Sequence, residues 1–214
     1  RLGVLNKIIV SLNALPVREY RLDSNLVNNQ LRLEKVQECG YTESGTLDAC
    51  LRPLTFGWST VSGGTNNYTI AVSSVTDGIG KVTEYLYTAL TATSNPLNYT
   101  EAPFGATMTV ANTTAQSLAA VSEMRVSDGL TPTGRRRFTF AYKGFPYRNS
   151  IGRGFIGFYE VRQKDEQSGI YSYIQTRLDF PFMGSVSQVW SMDATYGAQS
   201  KQIARVENAY AAKS

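Results

Sequence analysis

Carboxylates are the side chains of this chain best placed to do acid–base chemistry. The sequence has 17 Asp and Glu and 0 histidines. That removes the usual general base and the Ser-His and Cys-His nucleophile systems. Two carboxylates flanking a bond can hydrolyse a glycoside. The candidates are the adjacent Asp165-Glu166 and the separated Asp179 and Asp193. Asp165-Glu166 lies in Gln163-Lys164-Asp165-Glu166-Gln167-Ser168-Gly169, which reads as a charged turn. Neighbours along a strand point to opposite faces, so this pair does not converge on one bond. Asp179 reads as a turn residue ahead of Pro181. No residue is assigned a catalytic role.

Metals and phosphates fare no better. Cys39 and Cys50 are the two cysteines, without a CxxC and without histidine, so the usual Cys/His zinc site has no ligands. There is no GxxxxGK[ST], and Gly152, Gly154 and Gly157 precede a β-run rather than a helix. No metal and no cofactor are expected. The cysteines flank Gly40-Tyr41-Thr42-Glu43-Ser44-Gly45 and form either one disulfide, as suits an exported protein, or two free thiols. Spacing leaves both readings open, because it does not fix how closely the α-carbons approach.

The net charge is +4, and Arg135-Arg136-Arg137 is the one basic cluster. It reads as a phosphate patch or as the start of a strand, since Arg137, Thr139 and Ala141 alternate with Phe138, Phe140 and Tyr142. The strand reading is preferred and nucleic acid is not an expected partner, for want of a second basic patch or an RNA-type aromatic motif. Tyr68, Tyr99 and Trp190 offer a sugar-stacking platform or a protein contact, against ordinary cross-strand pairing of aromatics. Asn-x-Thr sequons start at Asn67, Asn98 and Asn112.

The elements holding these residues read as strands. The chain has 214 residues, 42% hydrophobic and 18% charged, with 18 glycines and 13 tyrosines. This is enough to bury a core and is rich in strand and turn formers. No apolar run approaches the roughly 18 residues that would span a membrane. Ile8, Val10 and Leu12 alternate with Lys7, Ile9 and Ser11 up to a break at Pro16. Leu31 and Leu33 alternate with Arg32 and Glu34, and Leu54 to Trp58 is a further strand before Ser62-Gly63-Gly64-Thr65-Asn66-Asn67. Ala115 to Val126 reads as a helix or a strand.

An internal echo organises the whole. Val72 to Gly80, through Asp77-Gly78, precedes a polar alternating run ending Tyr85-Leu86-Tyr87. Val121 to Leu130, through Asp128-Gly129, precedes one ending Phe138 to Tyr142. Asp-Gly is a strong hairpin signal because both residues tolerate positive φ. Looser copies run from Asp165 to Tyr173 through Ser168-Gly169, and from Asp193 to Tyr210 through Gly197. Such hairpins become stable when neighbours extend the sheet and cover its apolar face. The expected fold is all-β, made of antiparallel hairpins in a meander. It forms a single β-rich segment over residues 1–214, with loose sub-units 1–75 and 76–214.

Between the hairpins stands Gly152-Arg153-Gly154-Phe155-Ile156-Gly157-Phe158, followed by Ser168-Gly169 and then Asp179-Phe180-Pro181-Phe182. Alternating glycine and aromatic residues supply bends and buried area. The stretch resembles the shell segments of the Rhs/YD-repeat family, above all the SpvB-like and TcdB-like B components of bacterial toxin complexes. Those carry a similar Gly-Arg-Gly-Phe-Leu-Gly-Phe run, a strand, a Thr-Gly-type turn, a strand and Asp-Phe-Pro. The resemblance is closest from Val121 to Gly184, covers Leu31 to Trp58 less closely, and favours a strand for Ala115 to Val126. The repeated Asp, Gly and Tyr resemble the YD repeat, although about fifty residues separate the two best copies here.

The resemblance implies a non-catalytic shell that encloses a toxic effector polypeptide and passes it to a translocation partner. The implied partners are other shell segments of the same or a partner toxin subunit, the enclosed effector and a translocation-pore subunit. The implied location is secreted and bacterial. Gly152, Arg153, Gly154, Phe155, Gly157, Phe158, Asp179 and Pro181 are then structural, as are the turns at Asp77-Gly78 and Asp128-Gly129. Some relatives end in an ADP-ribosyltransferase domain, which needs Glu-x-Glu and Ser-Thr-Ser. This sequence has no Glu-x-Glu, and Ser59-Thr60 is followed by Val61. The start at Arg1, without an initiator Met or a cleavage pattern, suggests an excised or processed piece. The rival reading is an exported β-sandwich or adhesin-like module that binds carbohydrate or a host surface.

Overall fold

The computed structural model describes residues 4–64, 67–89, 119–129, 131, 134–143, 157–177, 179, 181–182, 184–193 and 201–210. These contain thirteen strands and no helix: β1 (Lys7–Leu12), β2 (Leu15–Val27), β3 (Gln30–Tyr41), β4 (Leu47–Cys50), β5 (Leu54–Gly64), β6 (Asn67–Thr76), β7 (Val82–Ala89), β8 (Ala119–Ser127), β9 (Arg135–Lys143), β10 (Glu160–Asp165), β11 (Tyr171–Thr176), β12 (Val186–Met192) and β13 (Gln202–Glu207). They form one sheet in chain order, with β4 set beside β3 off the main path. The protein is therefore an all-β antiparallel meander. Of the tract read as helix or strand, the described part is β8.

The chain folds into two compact units and crosses between them more than once. One takes residues up to Ser59, Ala71–Glu84 and Val126–Gly134; the other takes Thr60–Ile70, Tyr85–Arg125 and Arg135 onward. The division falls inside β5, β6, β7 and β8 instead of at one point along the sequence. Long strands make this possible, since a strand of about ten residues spans roughly 33 Å.

In the first unit, Pro16 does not break a strand. It lies in β2 opposite Ser11, beside a register shift between Val10 and Ser11. A proline is tolerated at such an irregularity because the ladder needs no donor there. The turn falls instead at Asn13 (φ 49°) and Ala14 (φ 66°), and the β2–β3 turn at Asn28 (φ 51°) and Asn29 (φ 60°). Positive φ at both central residues marks two-residue type I′-like turns, a conformation asparagine tolerates.

The internal echo corresponds to one turn construction used four times. The N–H of Asp77, Asp128, Asp165 and Asp193 donates to the carbonyl of Lys81, Gly134, Ile170 and Lys201 respectively. The carboxylate of each aspartate also accepts a backbone N–H from the turn: Lys81 at 2.8 Å, Thr131 at 3.3 Å, Gln167 at 3.1 Å and Lys201 at 2.7 Å. Aspartate thus mimics a backbone acceptor where the strand has run out of partners. These turns join β6 to β7, β8 to β9, β10 to β11 and β12 to β13, every second connection of this part of the meander.

The register of the second unit sorts its side chains by face. One row is apolar across five strands: Tyr142, Val161, Ile174, Val189 and Val206. Tyr142 and Ala120 are its buried centre, with Phe140, Phe158 and Val161 packed against them. The neighbouring row, on the other face, is Ala141, Arg162, Tyr173, Trp190 and Arg205. Next to it on that second face runs Lys143, Glu160, Gln175, Gln188 and Glu207. Period two along each strand and direct register between strands make the separation.

Candidate functional site

The polar face of the second unit carries a recess lined by described residues. It is a groove of about 470 Å³ reached by Lys143, Glu160, Arg162, Tyr173, Gln188 and Trp190, with Gln175, Gln202 and Arg205 completing it. Most point there because their strands alternate and their neighbours are in register, while a register shift between Ser191 and Met192 brings Gln202 into line. Tyr173 and Trp190 stack with ring centroids 5.0 Å apart and planes 2° from parallel. The pairing predicted as the ordinary fate of Trp190 is present. Tyr173 is almost fully buried while Trp190 is half-buried. Gln175 Nε2 donates to Glu160 at 2.9 Å, and an Arg205 N–H donates to Gln188 Oε1 at 3.2 Å.

A second recess of about 340 Å³ involves Glu123, Arg137, Thr139, Lys164 and Tyr171 and shares Arg162 with the first. Apart from Arg162, its charges are matched. Glu123 pairs with Arg125 and, at 2.6 Å, with Arg137; Glu166 accepts from Lys164 at 2.6 Å and from Thr139 at 2.7 Å. The cluster Arg135–Arg137 opens β9, with Arg136 bound to Asp165 at 2.5 Å. Arg136 and Arg137 serve the fold through these pairs.

The candidate carboxylates are dispersed. Asp165 accepts from Arg136, Ser168 Oγ and the Gln167 N–H. The guanidinium foremost, then these hydrogen bonds, hold its carboxyl far below the usual range against its burial. Adjacent Glu166 turns to Lys164 and Thr139, and its carboxyl is lowered chiefly by Lys164. Asp179 pairs with Arg177, which lowers it, and Asp193 receives the Lys201 N–H. Each has a local partner, and no two meet across a common space. Among the described residues, no three His, Cys, Asp or Glu form a group that could hold a metal ion, and no helix is long and apolar enough to cross a membrane.

Of the glycine-aromatic motif, Gly152, Arg153, Gly154 and Phe155 lie outside the described residues. Phe158 packs on Tyr142 with ring centroids 4.4 Å apart. Gly157 has φ +88°, and nothing stands within 4 Å of where a Cβ would be. Glycine is demanded there by the backbone conformation and not by a close neighbour. Gly157→Val should therefore cost about 1–2 kcal/mol from left-handed strain, checked by urea unfolding; an unchanged midpoint would mean the loop relaxes freely.

Asp77-Gly78 works differently from the expected hairpin pair. The positive φ belongs to Gly80 (φ 87°), not to Gly78. A Cβ on Gly78 would sit 2.7 Å from the carbonyl oxygen of Arg52. Close packing against backbone is thus the reason for glycine there, and Gly78→Ala should destabilise by about 1–3 kcal/mol through overpacking. In the other pair, Gly129 itself has φ 75°. Asp179 opens a loop in which the Phe182 N–H returns to the Asp179 carbonyl at 2.9 Å, with Pro181 between them. Cys39 and Cys50 are bonded to each other and lie directly opposite on β3 and β4.

The first unit holds a second charged cluster that sequence spacing did not single out. Glu19 on β2 is nearly buried and accepts from Arg21 Nε at 2.7 Å and Tyr41 OH at 2.5 Å, with Lys7 Nζ at 3.4 Å. Hydrogen bonds from Arg21 and then Tyr41 lower its carboxyl to about 2, against the opposing effect of burial. A depressed carboxylate stabilises the fold above its unfolded value of about 4.5. That stability is lost as pH falls from there through about 2. Glu19→Gln should abolish this part of the acid sensitivity, seen as a flatter plot of melting temperature against pH below about 4.5. Equal slopes for parent and variant would show that the cluster does not survive in solution.

What sequence reasoning missed is the groove. Its signal was present in alternation along β10 (Glu160, Arg162, Lys164), β11 (Tyr171, Tyr173, Gln175) and β12 (Gln188, Trp190). It was illegible without the register that aligns those strands. No protein-family model matches the chain, and no curated protein matches it.

Proposed function

We propose that the chain is non-catalytic wall material of a hollow β-shell of the Rhs/toxin-complex type. Such a shell encloses an effector polypeptide for delivery into a target cell. The observation that carries this reading is the open meander itself. Aspartate-closed hairpins follow one another through every second connection from β6 to β13, and among the described residues the path ends in strands that pair on one side only. Both terminal strands are exposed along their whole length. Ile8, Ile9, Val10 and Leu12 of β1 are 43–67% accessible, and Ile203 and Val206 of β13 are 56% and 59% accessible. Unpaired edges with apolar side chains invite a further strand. In a continuous wall, adjoining hairpins would supply those strands and bury the apolar side chains.

Cryo-electron microscopy of the full gene product tests the reading. The expected result places β1 and β13 each beside another strand of a larger enclosure. A separately cored, closed domain with a deep pocket lined by converging carboxylates would overturn it in favour of an enzyme.

A further inference from the structure

We propose that the groove across β9–β13 is a binding site for an oligosaccharide that carries carboxylates. The inference stands whether or not the chain belongs to a shell. A volume of about 470 Å³ falls within the roughly 300–1,000 Å³ usual for ligand sites. The second recess shares Arg162 with it.

The lining has the chemistry of sugar recognition. A pyranose ring presents a C–H face that packs on an aromatic ring, and hydroxyls that both donate and accept. Trp190 supplies the aromatic surface and Tyr173, nearly buried against it, fixes the indole's orientation. Gln175, Gln188 and Gln202 supply amides, which can donate and accept like the hydroxyls they would meet.

Charge decides which sugar. Glu160 is engaged by Gln175, and Arg205 by Glu207 and Gln188. Lys143 and Arg162 make no ion pair among the described residues, although both line the groove and Lys143 stands opposite Glu160 on the ladder. The guanidinium of Arg162 instead lies 5.8 Å from the Tyr171 ring centroid. Two uncommitted cations in a groove fit carboxylates on the ligand, and a guanidinium can take one bidentately. A single-stranded nucleic acid also stacks on aromatics in basic grooves. The three amides suit a hydroxyl-rich chain better than a phosphate backbone.

Isothermal titration of the intact chain with tetragalacturonate tests this, with maltotetraose as the neutral sugar and an oligothymidylate as the nucleic-acid probe. Binding of tetragalacturonate is expected, weakened at least about tenfold by either Trp190→Ala or Arg162→Gln. Gln188→Leu, at another lining position, should also weaken it and guards against misfolding of the tryptophan variant. Matching melting temperatures would establish that the Arg162 and Gln188 variants are folded. Absence of tetragalacturonate binding at millimolar concentration overturns the proposal. So does equal affinity for maltotetraose with no effect of Arg162→Gln, or displacement of tetragalacturonate by a tighter-binding oligothymidylate.

Discussion

Tyr142→Ala is expected to lower the unfolding free energy by about 3–5 kcal/mol, the usual cost of truncating a buried aromatic. Few side chains of this sheet are buried, and Tyr142 is the largest member of the Ala120 cluster. Its ring packs on Phe158, and its hydroxyl donates to the Val121 carbonyl at 2.7 Å. That bond ties β9 to β8 by a side chain as well as by the ladder. Tyr142→Phe keeps the ring and removes the donor, so it should cost only about 1 kcal/mol. Urea unfolding of the two variants separates packing from hydrogen bonding. Equal losses would mean that the hydroxyl, not the ring, holds this cluster together.

Alkaline pH provides an independent reading of the same residue. Burial, and then the neighbouring Tyr87, push the Tyr142 hydroxyl up to about 12 from its ordinary 10.0. A phenol raised on folding contributes stability that is complete below pH 10 and is lost as pH climbs towards 12. Tyr142→Phe should remove that part of the alkaline decline.

The strand character of the chain was legible because alternation and turn residues are local signals. Leu31 and Leu33, Leu54 to Trp58 and the run from Arg137 to Tyr142 all fall in strands. β2 was not legible. Its sequence from Leu15 to Val27 opens with Leu-Pro and carries four charged residues, Arg18, Glu19, Arg21 and Asp23, which blur the period. It is held by pairing on both sides and by charges that meet across strands, such as Lys35 with Asp23 at 2.8 Å. Such pairs are visible only once register is known.

The aspartate turns are legible in the sequence for a reason that is only half physical. Asp-Gly reads as a pair of residues suited to positive φ. In all four turns the constant element is the aspartate's hydrogen bonding, by its N–H and its carboxylate. The glycine varies in place, from Gly129 beside Asp128 to Gly169 four residues beyond Asp165. A motif defined by an acceptor at the end of a strand tolerates loops of different length. That explains why the copies are recognisable despite irregular spacing. The face that forms the groove needed a further level of information, because Arg162, Tyr173 and Trp190 meet only through the registers of β10, β11 and β12.

Reduction of the Cys39–Cys50 bond is expected to lower stability by about 2–3 kcal/mol, the loop-entropy value for a short closed loop. The cysteines are 11 residues apart and bridge β3 to β4 at directly opposed positions. β4 is short and exposed and, among the described residues, pairs only with β3. β3 is shared there, since Lys35 and Val36 pair with β5 while Cys39 and Tyr41 pair with β4. The bond therefore holds the β4 hairpin on the ladder where the pairing itself is brief. Buried Cys39 stands beside Glu19 on the register, so loosening β4 should also disturb the acid-sensitive cluster. Urea unfolding with and without reductant measures the loss, and Cys39→Ser with Cys50→Ser should reproduce it without reductant. The reduced protein should in addition lose part of the pH dependence assigned to Glu19. A midpoint unmoved by reduction, with alkylation confirming two free thiols, would mean that β4 is secured by its backbone pairing alone.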